Sequence, residues 1–187
     1  MLNKALALWS TLSVVLLAVG CGSGGSTLRR FSGDGVSFAY PATWHARTYE
    51  ATSSFSTSVV YLSPQRLHPP CITRHLTYNT TITCHQPVGR LQPGSMLASW
   101  STQTWPGWTF TRAQGTLLPV GGRPAKVNVT HESCGVGADE LMEVVIAIPG
   151  SAQTDGWYQL DACISGPGTS ARERQVRELL RTVRFTA

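Results

Sequence analysis

Val36-Ser37-Phe38-Ala39-Tyr40 alternates apolar and polar residues, which predicts a strand that buries Val36, Phe38 and Tyr40 on one face and ends at Pro41. A second strand is predicted over Thr57 to Leu62, bounded by Pro64. The stretch from Pro69 to Pro93 is rich in Thr, Pro and His, and reads as a long excursion with a strand at Leu76 to Cys84. In Gly94 to Trp100, Met96, Leu97 and Trp100 are spaced to lie on one side of a short helix. Strands follow around Trp108 to Arg112 and Gly115 to Leu118, and Gly121-Gly122 supplies the positive φ of a tight hairpin turn.

Beyond that turn Ala125, Val127 and Val129 alternate, while Leu141 to Ile148 is nearly continuous in apolar residues and predicts a strand covered on both faces. In Trp157 to Ile164, Tyr158, Leu160, Ala162 and Ile164 share a face. The last segment is the clearest helix: Ser170 and Glu173 have capping-box spacing, and Val176, Leu179, Leu180 and Val183 form one apolar stripe. Glu173 with Arg177 and Arg174 with Glu178 are surface pairs at i, i+4.

The N-terminus has a different pattern. Lys4 precedes an apolar run from Ala5 to Val19, so residues 1–20 read as an export signal rather than a fold element. A membrane-spanning helix is the rival, and Ser10, Thr11 and Ser13 interrupt the run that it would need. Leu17-Ala18-Val19-Gly20-Cys21 resembles a bacterial lipobox, in which a small residue precedes a cysteine that receives a diacylglyceryl thioether. Ala18 departs from the usual leucine, and an ordinary secretory signal with an incidental cysteine is the competing reading. Residues 21–30 then read as a flexible tether, beginning Gly22-Ser23-Gly24-Gly25-Ser26-Thr27, that stands a domain at 31–187 off the bilayer. The expected location is the extracytoplasmic face of the cell membrane.

The chain has 187 residues, 42% of them hydrophobic, which suits one folded domain after removal of the tail. Its net charge of +5 comes from basic residues spread singly along the chain, which disfavours nucleic acid as a partner and leaves weak attraction to anionic surfaces. With Cys21 assigned to lipid, Cys71, Cys84, Cys134 and Cys163 are left, an even number that reads as two disulfides in an exported domain. If the segments at 125–131, 141–148 and 157–164 form an antiparallel meander, Cys134 lies near Cys163, and Cys71 then closes a local loop with Cys84. A zinc site built from His68, Cys71, His75, Cys84 and His85 is the rival, but it lacks the close paired spacings of such sites. No metal and no cofactor is expected.

Gly35-Val36-Ser37-Phe38-Ala39-Tyr40-Pro41 followed by Trp44, the hairpin at Val120-Gly121-Gly122-Arg123-Pro124-Ala125, and a terminal helix running into Val183-Arg184-Phe185 resemble the PsbP and Mog1-like proteins, above all their bacterial lipoprotein branch. The resemblance spans about Phe31 to Phe185 and implies an α+β fold, an α/β/α sandwich with a curved antiparallel sheet flanked by helices. It also implies an accessory or binding role. The Cys-rich insertion at about 69–93 goes beyond the pattern of that group.

Motifs of catalysis are missing. There is no Gly-x-Ser-x-Gly elbow, His131-Glu132 lacks a second histidine, and no phosphate loop occurs. Asp34, Asp139, Glu140 and Glu143 could be drawn together as carboxylates, although Asp139 and Glu140 read more simply as the wet edge of a strand. The candidate functional surface is aromatic: Trp100, Trp105, Trp108 and Phe110 fall close together, and Trp105-Pro106-Gly107-Trp108 reads as a turn presenting Trp105 and Trp108. Trp100 and Phe110 fit core packing better. The expected function is a non-catalytic binding module for another envelope protein; a carrier of a small apolar or glycan ligand, and a hydrolase of envelope polymers, are the alternatives.

Overall fold

The computed structural model describes residues 27–48, 56–69, 71–75, 77–78, 80–131, 134–148 and 156–186. The export signal and Cys21 lie outside these residues. The first strand, β1 (Leu28–Gly33), starts inside the segment read as tether. It pairs antiparallel with β2 (Val36–Pro41), which carries the expected alternation, with Val36, Phe38 and Tyr40 buried.

The main sheet has seven strands: β3 (His45–Thr48), β4 (Ser56–Ser63), β7 (Met96–Thr104), β8 (Thr116–Val120), β9 (Arg123–Thr130), β10 (Glu140–Ala147) and β11 (Gly156–Ile164). They lie in the order β3-β4-β7-β11-β10-β9-β8, every pair antiparallel. β5 (Cys71–His75) and β6 (Thr80–Cys84) form a separate two-stranded sheet. The helix α1 (Thr169–Arg181) leads into β12 (Arg184–Phe185), which pairs with β2 and completes a three-stranded sheet β1-β2-β12.

The small sheet and α1 cover one face of the main sheet. Between them lie Phe38, Trp100, Met142, Val144, Ile146, Leu160, Leu179 and Val183 in one core. Among the described residues the other face has no helix. Its cover is a second, smaller cluster of Leu67, Val88, Leu91, Leu97, Val136 and Cys163, supplied largely by the connections before β7 and β10. This corrects the expected α/β/α sandwich: the described residues contain one α-helix, and the fold is a mostly antiparallel β structure. The segment 64–95, which supplies much of that cover, carries five of the eleven prolines, and proline breaks helix interiors.

Two local expectations also change. Gly94 to Trp100 is not helical, because β7 lies inside the sheet, between β4 and β11, and buries both faces. Met96, Leu97 and Ala98 are each at most 2% exposed, so their close spacing reflects two covered sides. Trp108 to Arg112 is not a strand but a bend ending in a 3-10 turn at Phe110–Arg112. The capping box is displaced too: Gly168, at φ 93°, is the N-cap of α1, so Ser170 already lies within the helix. Glu173 does pair with Arg177, whereas Glu178 pairs with Arg181. The hairpin turn is as expected, with Gly121 and Gly122 at φ 56° and 79° between paired Val120 and Arg123.

Candidate functional site

The helix-free face of the main sheet is organised in rows that follow from strand register. Leu97, Cys163, Leu141 and Thr130 lie side by side, then Ser99, Asp161, Glu143 and Asn128, then Ser101, Gln159, Val145 and Lys126, then Gln103, Trp157 and Ala147. Side chains two residues apart share a face, so these rows form one surface graded from apolar through acidic and amide to aromatic.

The apolar end carries the disulfide Cys134–Cys163, with a Cα–Cα separation of 5.8 Å. Register explains it: Thr130 and Cys163 both oppose Leu141, so the end of β9 and the end of β11 meet at one edge of β10, as the meander predicts. Cys71 is disulfide-bonded and lies opposite Cys84 in the β5–β6 register. The side chain of Cys84, like that of His75, lies outside the described residues.

At the aromatic end, Trp108 N–H donates to Trp105 O at 3.0 Å, which closes Trp105-Pro106-Gly107-Trp108 into a β-turn. Pro106 presets the second position and Gly107, at φ 72°, takes the third, which needs positive φ. Trp105 is 54% exposed at this turn. Trp108 stacks on Trp157 with ring centroids 3.9 Å apart. Lys126 donates from Nζ to the carbonyls of Thr111 and Ala113 and lies 5.3 Å from the Phe110 ring centroid, which anchors the loop to β9. Trp100 does not join this surface; it is 1% exposed in the main core.

Between the two ends, Gln159 organises the acidic row. Its Oε1 accepts from Trp157 Nε1 at 2.9 Å, while its Nε2 donates to Glu143 Oε1 at 3.1 Å and to the Asp161 carboxylate at 2.9 and 3.0 Å. Glu143 and Asp161 are direct cross-strand partners, a like-charged pairing that destabilises a sheet when both are ionised. Burial pushes the Asp161 carboxyl up to about 6 with Glu143 adding to the rise, and the Gln159 hydrogen bond works against it. Burial also raises Glu143. A cleft of about 250 Å³ opens here, lined by Gln86, Leu97, Ser99, Cys134, Glu143 and Asp161 among others. Asp161 therefore holds its proton to a higher pH than an ordinary carboxyl, at the edge of a small, partly polar cleft.

The four carboxylates that could be drawn together are not assembled. Glu143 faces the cleft, Glu140 lies on the opposite face of β10, Asp139 Oδ2 accepts from Gly166 N–H at 2.7 Å, and Asp34 sits in the β1–β2 turn. Nor is Glu140 at a wet edge: it is 4% exposed, and burial raises its pKa, with Glu173 adding to the effect.

Asp161→Asn tests the acidic row. Below the ordinary value of 3.8 the carboxyl is protonated in both folded and unfolded chains and costs nothing; above about 6 the folded state must ionise it against burial. The native residue thus loses stability as pH rises through this window. The variant is expected to match the parent near pH 3.5 and to be more stable by about 2 kcal/mol at pH 8, allowing for solvent screening. Thermal unfolding followed across that range checks it, and parallel curves would reject the assignment.

No protein-family model matches the chain, and no curated protein matches it, so the functional reading rests on the residues and geometry described above.

Proposed function

We propose that this chain is a lipid-anchored, extracytoplasmic binding module with no catalytic role, which holds another envelope protein against the aromatic end of its main sheet. The observation that carries the reading is Trp105, 54% exposed on a hydrogen-bonded turn and backed by the stacked Trp108 and Trp157. A large apolar plate on a backbone that is already ordered loses little conformational entropy on binding, which is why tryptophan is enriched where partners dock. For the carrier alternative, the cleft of about 250 Å³ beside Asp161 is smaller than most ligand pockets, at roughly 300–1,000 Å³, and partly polar, whereas a groove of about 390 Å³ between the β1–β2 hairpin and α1 falls within that range.

A photo-reactive residue placed at position 105 in the full chain, expressed in its own envelope, tests this. One discrete protein adduct is expected, and Trp108→Ala should reduce its yield at least about tenfold, the effect of a tryptophan at the centre of an interface. Absence of any adduct, or one indifferent to Trp108, would reject the proposal. A small molecule retained at full occupancy in native mass spectrometry would favour the carrier.

A further inference from the structure

We infer that the outer face of the β1–β2 hairpin, together with the C-terminal half of α1, is a docking surface for an anionic phospholipid bilayer. Side chains alternate along the hairpin: Val36 and Phe38 point into the core, and their strand neighbours face outward. Register then gathers Leu28 and Pro41, Arg30 and Ala39, and Ser37 and Arg184 on the outer face. Where this face meets α1 there is a groove of about 390 Å³, lined by Leu28, Ala39, Pro41, Gln175, Leu179 and Thr182 among others. Leu28 is 58% exposed at its mouth.

The charges around the groove favour a negative partner. Arg30 and Arg184 are exposed on the hairpin face. Arg181 is exposed on α1 beside Glu178, which pairs with it and is the acidic group at the groove. On the hairpin face and the end of α1 three cations stand against this one anion, next to a groove whose lining includes Leu28, Ala39, Pro41 and Leu179, a combination that suits lipid phosphates above acyl chains.

Chain length fixes the occupant, and here the inference rests on the lipid-anchor reading of Cys21. Ala42 N–H donates to Thr27 O at 2.8 Å, so the chain is already held against the hairpin at Thr27 and enters the fold beside the groove. Seven residue steps join Cys21 to Leu28, a reach of at most about 25 Å. A diacylglyceryl group on Cys21 would therefore hold this face close to the bilayer it is embedded in.

The test uses the full mature chain reconstituted into vesicles of phosphatidylglycerol or of phosphatidylcholine, with a photo-reactive residue at position 28. The control position is Tyr78, 97% exposed at the separate β5–β6 hairpin. Position 28 should label phosphatidylglycerol, and position 78 should not. Arg30→Gln with Arg181→Gln should lower labelling about tenfold or more, at roughly fivefold for each cation removed from an anionic surface. Arg30→Lys with Arg181→Lys, which keep the charge, should restore it. Equal labelling at both positions, labelling indifferent to charge, or a protein adduct in place of lipid would overturn the inference. The intact mass separates the two readings: a lipidated chain that does not label at 28 removes the surface and keeps the anchor, whereas an unlipidated chain that labels removes the anchor and keeps the surface.

Discussion

Replacing Trp100 by alanine is expected to lower the free energy of unfolding by about 4 kcal/mol, in the range for truncating a buried aromatic residue. Trp100 is 1% exposed on the interior strand β7, with its ring centroid 5.4 Å from Phe38 of the small sheet and 6.2 Å from Tyr158 of β11. It therefore joins the two sheets, and no neighbour can collapse into its place without separating them. Trp100→Phe should behave differently. The indole Nε1 is buried and has no hydrogen-bond partner among the described residues. Phenylalanine removes that unsatisfied donor along with part of the ring, and the opposing effects should leave a cost below about 1.5 kcal/mol. Urea unfolding of both variants checks the pair. A Trp100→Ala loss below about 2 kcal/mol would mean that the two sheets do not depend on this side chain.

Loss of the Cys134–Cys163 bridge should cost nearly as much. The bond closes a sequence separation of 29 residues, and the chain-entropy estimate for a loop of that size is about 3.5 kcal/mol. Its effect is concentrated on the helix-free face, where Cys163, 7% exposed, packs in the smaller cluster and Cys134 lines the acidic cleft. Cys134→Ala with Cys163→Ala should lower the free energy of unfolding by that amount, seen as a lower denaturation midpoint, and expose the cleft to solvent, which would bring the Asp161 carboxyl back toward its ordinary value. A midpoint unchanged by the double substitution would show that the cover of this face is held by packing alone.

The parts of this fold that could be read from sequence are those where one residue's environment is set by its near neighbours. Alternation located β2, two glycines located the β8–β9 turn, and the apolar stripe located α1. The meander also gave the Cys134–Cys163 pairing, because two short connections between three successive strands leave little choice of strand order. Met96 to Trp100 defeated the same method: burial on both faces of β7 erases the period of two that distinguishes a strand.

The acidic row was less legible. Tyr158, Leu160, Ala162 and Ile164 marked the core face of β11, and the intervening Trp157, Gln159, Asp161 and Cys163 then read simply as the other side. What makes them a site is register. Asp161 meets Glu143, and Gln159 reaches both, only because β10 and β11 pair at that offset, and the residues between those strands do not announce it. The alternation of polar groups between Trp157 and Cys163 was the available signal.

β2 joins the first and last elements of the described fold. β1 lies along one side of it; on the other, β12 pairs with Val36 and Ser37, and Thr182 Oγ1 accepts from Ala39 N–H at 2.8 Å. A sequence separation of 143 residues is spanned by that last bond. Contacts of such range dominate the time a chain needs to find its fold, and here they wait on α1 and β12. The small sheet therefore closes late: β1 and β2 can meet as a local hairpin, but the strand that completes their sheet is not available until α1 has turned the chain back toward them.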